Sequence, residues 1–280
     1  MLAQNNKETA FLGGKKIGGN NPPFFIAGPC VIESEELLQT VAREVRRISD
    51  KYGILILFKS SFDKANRSSA DSFRGPGIHE GLALLQKVAT EHQLPSLTDI
   101  HTAEEAAIAA EYVDMLQIPA FLCRQTDLVV AAAKTGKWTN IKKGQFVAPE
   151  DALHIADKYR KAGSEKVTIC ERGYTFGYNN LVVDMRSFEI MRREGLHVVF
   201  DATHSTQLPG GGKTSGGDRR MAFPLARAAC AVGLDGIFSE IHPNPPEAKS
   251  DATNQLYLAD FENFVATALK IDRLVKESVQ

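Results

Sequence analysis

The sequence predicts an α/β chain folded as a (β/α)8 TIM barrel. Short β-rich apolar runs alternate with helical patterns along most of its 280 residues, and each type occurs eight times. Such barrels reach about 250 residues as one unit, so the length fits a single barrel domain over 1–280 with 1–21 as an N-terminal extension. A doubly wound open sheet is the alternative that shares the alternation.

The elements follow in order. Phe24-Phe25-Ile26-Ala27 reads as the first strand and stops at the breakers Gly28-Pro29. Ser34 caps the next helix, Glu35 and Glu36 suit its first turn, and Leu37, Val41, Val45 and Ile48 recur at helical spacing. Ile54 to Phe58 is a continuous apolar run, as expected of a strand covered on both faces. Further strands are predicted near Leu94–Thr98, Met115–Ile118, Thr139–Lys142, Val167–Cys170, Val198–Phe200 and Gly236–Ser239. Helices are predicted between them at 79–92, 103–111, 126–135, 149–162, 185–194 and 219–232, with a last one over 259–277. Before the barrel, Thr9–Leu12 and Lys15–Ile17 around Gly13-Gly14 suit a β-hairpin capping the barrel bottom, and a disordered tail is the competing reading.

Composition is ordinary for a globular chain, with 43% apolar and 24% charged residues. The net charge of −1 gives no electrostatic case for nucleic acid or an anionic membrane. No run approaches the ~20 apolar residues of a membrane span, and the polar, Gly-rich start is unlike a secretion signal. The four scattered cysteines suggest a reducing compartment, so the expectation is cytoplasmic.

Barrel enzymes carry their chemistry at the C-terminal ends of the strands. There Lys59, Lys64, Lys142 and Arg172 would form a cationic floor suited to phosphate and carboxylate groups. Each alone reads as a solvated surface residue; four from nearby strands point to an anionic ligand. Cys30, His204, Glu240 and Asp251 follow strands one, seven and eight, neighbours in a closed barrel, and offer a plausible divalent-metal site. Taken singly, Cys30 is more often a small buried hydrophobe and His204 a hydrogen-bonded structural residue. Cys123, Cys170 and Cys230 are read as packing residues, and Asp99 and His101 as candidates for orienting water. Gly210-Gly211-Gly212-Lys213-Thr214 looks like a P-loop tail, but Gln207 stands where that motif needs glycine. The segment 209–217 is read as a lid or a plain surface loop.

Gly28-Pro29-Cys30-Val31-Ile32-Glu33-Ser34, Lys59-Ser60-Ser61-Phe62-Asp63-Lys64-Ala65-Asn66-Arg67-Ser68, Gln117-Ile118-Pro119-Ala120-Phe121-Leu122-Cys123-Arg124-Gln125 and Asp201-Ala202-Thr203-His204-Ser205 together resemble the 3-deoxy-D-manno-octulosonate 8-phosphate synthases. The resemblance covers about residues 22–275. It implies a homotetrameric barrel that condenses phosphoenolpyruvate with D-arabinose 5-phosphate and water, for lipopolysaccharide sugar biosynthesis. The Lys-Ala-Asn-Arg-Ser segment separates this family from the sister synthase acting on erythrose 4-phosphate, which carries a Lys-Pro-Arg type segment there.

By the same resemblance, Lys64, Lys142 and Arg172 hold phosphoenolpyruvate with Lys59, Gln117 and Ala120 beside it. Asn66, Arg67 and Ser68 meet the sugar phosphate, and Arg124 serves as a ligand contact or approaches a neighbouring subunit. Lys64, Asn66, His204 and Asp251 are the implied catalytic set. Cys30, where metal-independent members carry Asn, and the Ser250-Asp251-Ala252 segment resemble the metal-dependent branch. They imply Fe2+ or Zn2+, with Mn2+ able to support turnover, and no organic cofactor. The competing readings are the sister synthase, a Schiff-base aldolase using Lys59 or Lys142, and a non-catalytic phosphosugar-binding barrel.

Overall fold

The computed structural model describes residues 10–66, 72–176, 179–209 and 216–278. Eight parallel strands close into a barrel, each followed by a helix on the outside. The strands are β1 (Phe24–Gly28), β2 (Ile56–Lys59), β3 (Ser96–Asp99), β4 (Met115–Ile118), β5 (Trp138–Lys142), β6 (Val167–Glu171), β7 (His197–Asp201) and β8 (Gly236–His242). Each pairs with the next in parallel, and β8 pairs on its other side with β1 in the register Gly236↔Phe24, which closes the ring. A closed ring excludes the open doubly wound sheet.

The helices are α1 (Glu35–Tyr52), α2 (Ile78–Glu91), α3 (Ala103–Ala110), α4 (Thr126–Lys134), α5 (Pro149–Lys161), α6 (Arg186–Arg193), α7 (Ala222–Val232) and α8 (Leu258–Ser278). Their starts follow local chemistry. The Ser34 side chain accepts a hydrogen bond from the Leu37 amide, and Pro149 opens α5 where its missing N–H costs nothing. Leu38, Val41, Val45 and Ile48 of α1 are buried against the barrel wall. Residues 219–221, expected as the first turn of the seventh helix, form instead a 3-10 turn whose start Asp218 caps. Strand β8 outruns its expected end at Ser239, because Ile241 and His242 pair with Leu256 and Tyr257.

The N-terminal extension is a hairpin, Ala10–Leu12 against Lys15–Ile17. Gly13 and Gly14 both have positive φ (53° and 75°), the conformation a two-residue turn of this kind demands. Leu12 and Ile17 are buried with Phe24, Leu55, Leu97 and Trp138 in the lower barrel interior, and the Trp138 indole Nε1 donates to the Phe11 carbonyl at 2.8 Å. The hairpin therefore plugs the bottom. Two cores result: one inside the barrel under this plug, and a larger one between strands and helices. Cys123, Cys170 and Cys230 are buried in these cores as unbonded thiols, in keeping with a packing role. Among the described residues, no helix is long and apolar enough to cross a membrane.

Candidate active site

The strand tips and the loops above them enclose a cavity of about 720 Å³, lined among others by Lys59, Lys64, Lys142, Arg172, His204 and Asp251. All four cations expected to converge do so. Asn66, Ala120, Asp99, His101 and Glu240 also line it. Gln117 lies just beneath, and Arg124 is exposed and stands apart from the cavity wall. Arg67, Ser68 and residues 210–215 lie outside the described residues, so the expectations placed on them, including the lid, fall there too.

Backbone geometry explains why the tips can meet. A Cβ on Gly28 would come within 1.9 Å of the Lys59 carbonyl oxygen, so only glycine lets β1 approach β2 this closely. Lys59 is buried beneath the cavity. Its Nζ donates to the Cys30 carbonyl and to Glu240 Oε1, each at 2.8 Å. Lys64 Nζ lies 3.8 Å from Glu240 Oε1 and 4.0 Å from Asp99 Oδ2. Lys142 Nζ donates to Asp201 Oδ2 at 2.8 Å and sits 3.5 Å from the centre of the Phe238 ring. Arg172 donates through Nη2 to the His204 carbonyl at 3.0 Å and to Gln207.

Each cation thus has an anionic or carbonyl partner, and the resulting pKa shifts follow. Burial alone would lower Lys64, but Cys30, Glu240 and Asp99 outweigh it and raise it. Burial is likewise outweighed by Asp201 at Lys142, which is raised. Burial opposes ionisation of Asp99, yet Lys59, Lys64 and Lys142 hold its carboxyl well below the usual range.

Asp99 also ends a directed chain of hydrogen bonds around the barrel interior. Thr168 donates to Asn140 Oδ1 at 2.7 Å, Asn140 Nδ2 to Gln117 Oε1 at 2.8 Å, and Gln117 Nε2 to Asp99, which Ser61 also reaches. Every amide orientation along it is fixed by the next partner.

Beside the cations, Cys30 Sγ, Asp251 and Glu240 present ligand atoms within 4.8 Å of one another. Cys30 Sγ lies 3.2 Å from Asp251 Oδ2 and 3.0 Å from Ser250 Oγ. His204 faces this group: its Nε2 is 3.7 Å from Glu240 Oε2 and 3.8 Å from Asp251 Oδ2. Its other nitrogen, Nδ1, is 2.8 Å from Asp201 Oδ2. Asp201 Oδ1 meanwhile accepts from the Thr203 and His204 amides, which locks the ring.

The donor set fits a divalent cation on three counts. Glu240 Oε2 is buried without a hydrogen-bond partner. A thiol, an imidazole and two carboxylates are a transition-metal set, and metal bonds of about 2.1 Å place tetrahedral ligand atoms roughly 3.5 Å apart, close to the observed spacings. The free ring nitrogen faces the group while a carboxylate holds the other, the arrangement usual for metal-bound histidines. Without a cation, burial and Glu240 push the Cys30 thiol well up; a bound metal reverses that order. Asp251 itself sits at φ 46°, a left-handed conformation that aspartate tolerates better than most residues.

Two residues of this network have no role assigned from the sequence. Asp201 stands in the Asp201–Ser205 motif, and an acidic residue three before His204 is the signal that points to it. Ser250, beside Cys30, stands in the Ser250-Asp251-Ala252 segment that resembles the metal-dependent branch, but has no role of its own assigned there.

The comparisons with known proteins agree with this architecture. The model of the DAHP synthetase I family matches residues 3–277. A protein of Fusobacterium nucleatum named 2-dehydro-3-deoxyphosphooctonate aldolase is 52% identical over 266 residues, 95% of this chain and 96% of that protein. Proteins of the same name from Acidithiobacillus ferrooxidans and Trichlorobacter lovleyi are each 53% identical over 95% of this chain. The chain belongs to the DAHP synthetase I family.

Proposed function

We propose that this protein condenses phosphoenolpyruvate with D-arabinose 5-phosphate and water, releasing 3-deoxy-D-manno-octulosonate 8-phosphate and inorganic phosphate. The observation that carries the reading is one cavity lined by Lys59, Lys64, Lys142 and Arg172, in a chain whose relatives at 52–53% identity share an octulosonate name. The same cations, and the length of the match, support a single barrel domain as the working unit. A cytoplasmic homotetramer serving lipopolysaccharide sugar synthesis belongs to the same proposal.

Lys64, Lys142 and Arg172 would bind the phosphate and carboxylate of phosphoenolpyruvate, with Ala120 and Gln117 at its side. Lys59, already joined to Glu240, would act from below as a bridge between the anion floor and the neighbouring carboxylates. Asn66, Arg67 and Ser68 would take the sugar phosphate at the far end of the cavity, and Arg124 is assigned to a subunit contact. Holding two phosphates apart keeps the enol methylene and the aldehyde carbon in register, and such positioning is worth about 7–11 kcal/mol of barrier. Asp99, ionised beside Lys64, or His101 would orient the water that adds to the carbon gaining positive charge.

Cys30, His204, Glu240 and Asp251 would hold a divalent metal, with Fe2+ or Zn2+ favoured by the thiolate and Mn2+ able to sustain turnover. When bound, such an ion would polarise the aldehyde oxygen, orient the sugar or lower the pKa of a bound water.

A Schiff-base aldolase fits less well. It needs a neutral amine, whereas Lys59 is ion-paired with Glu240 at 2.8 Å and Lys142 is raised by Asp201. Phosphate release from phosphoenolpyruvate should require D-arabinose 5-phosphate and fail with erythrose 4-phosphate. Preference for the four-carbon sugar, or borohydride trapping of substrate on the protein, would replace this reading.

A further inference from the structure

Behind the cavity, on the outer side of the barrel wall, Lys143 and Glu171 are fully enclosed. Lys143 Nζ donates to the carbonyls of Gly144 at 3.2 Å and Val147 at 3.1 Å, and lies 3.5 Å from Glu171 Oε2. The Tyr174 ring covers it, 3.6 Å from the ammonium to the ring centre, and the tyrosine hydroxyl meets Ser187 of α6 at 2.8 Å. Glu171 Oε1 accepts from the Gly173 amide at 2.6 Å, while Oε2 has no hydrogen-bond partner.

The position of this pair is what matters. Successive side chains of a strand point to opposite faces, so Lys142 enters the cavity while Lys143 points away from it. At the tip of the adjacent strand, Glu171 points away and the next residue, Arg172, enters the cavity. The Lys143 amide also donates to the Cys170 carbonyl at 2.8 Å, tying the two tips together. The hidden opposite charges therefore stand one residue from two like charges that repel each other.

Stability does not account for the pair. A buried lysine and glutamate with one oxygen unsatisfied are commonly no better than apolar groups of the same size. Burial lowers the Lys143 pKa and raises that of Glu171, so the protein bears a cost to keep the pair where it is.

We propose that Lys143 and Glu171 are positioning residues that preset Lys142 and Arg172 for a shared anion, the phosphate or carboxylate of phosphoenolpyruvate. This rests on the functional reading above and deepens it. The Lys143 ammonium clamps the loop after β5 through two carbonyls, and Glu171 clamps the loop after β6 through the Gly173 amide. Their mutual attraction fixes the separation of the two cavity cations before the anion arrives.

The test is the double variant Lys143→Met/Glu171→Gln, which removes both charges and keeps an acceptor for Gly173. The expected result is a folded protein melting near the wild type. Its KM for phosphoenolpyruvate and its calorimetric dissociation constant should both rise about tenfold, a loss of about 1.4 kcal/mol in binding. KM for arabinose 5-phosphate should stay unchanged. Unchanged phosphoenolpyruvate affinity, or equal losses for both substrates, would overturn the proposal. Should the double variant not fold, Glu171→Gln alone is measured in the same way, and the same results support or overturn the pair's role. A wild-type protein that binds no phosphoenolpyruvate overturns the functional reading and the pair's role with it, whereas wild-type binding with an unaltered variant overturns the pair alone.

Discussion

Asp201 joins several parts of the site. It holds His204 through Nδ1, receives Lys142, and accepts two backbone amides. Asp201→Asn keeps the shape but removes the charge that fixes the imidazole tautomer. Metal affinity is expected to fall about 10–100-fold, as losses of such outer partners do, and competition with a chelating dye would measure it. Cys30→Asn exchanges the thiol for the amide that the family resemblance associates with metal-independent members. Some turnover should then persist in excess chelator, where the wild type should stop; a variant inert under both conditions would show that the two branches differ beyond this position.

The four cations are legible in the sequence because they recur at several nearby strand ends, whereas the candidate metal ligands are scattered and are pointed to mainly by the family resemblance. Lys143 and Glu171 are not. In sequence, Lys142 and Lys143 are equivalent neighbours, and only the pleat decides which one enters the cavity. Lys59, read as part of the cation floor, carries a second role that spacing cannot reveal, because Glu240 lies 181 residues away.

At the scale of elements, the N-terminal hairpin behaves as part of the core. Leu12 is buried beneath the barrel, so Leu12→Ala should cost about 2–5 kcal/mol, the range for deleting a buried leucine side chain. Trp138→Phe removes the bond to the Phe11 carbonyl together with part of the indole packed in the inner core, and should cost about 1–3 kcal/mol. Urea titrations of the two variants would check these costs; a Leu12→Ala cost well under about 1 kcal/mol would mean that the hairpin is not held by packing.

Strand and helix alternation is readable because buried parallel strands are continuous apolar runs and the surrounding helices are amphipathic. The short hairpin Tyr174–Phe176 with Asn180–Val182, after β6, has no such signature. Its residues are too few for periodicity, and its placement depends on contacts such as Tyr174 with Lys143 that join distant segments.

For the molecule as a whole, acid should be the sharper stress. Asp99, Asp201 and Asp251 all have folded pKa values well below their ordinary range, with burial outweighed by Lys59, His204 and their neighbours. A depressed carboxylate contributes stability that is present above its unfolded value, about 4, and is lost as pH falls toward the folded one. His204 has the opposite sense: its pKa is raised, Asp201 outweighing burial, so its contribution is complete below about 6.5 and lost as pH rises through the folded value. The melting temperature of the metal-free protein should therefore drop steadily below about pH 4. Asp201→Asn should flatten that descent, and an unchanged slope would mean that the acid response arises elsewhere.

The stoppered floor has a consequence for traffic. With Leu12, Ile17 and Trp138 packed under the barrel, no route runs along the axis among the described residues, so the cavity is a cul-de-sac. Among the described residues, that leaves the strand-tip side as the way in for both reactants and the way out for both products. Whichever molecule lies innermost is then trapped while the outer one remains, and its escape rate, followed by rapid mixing, should slow when the outer position is filled.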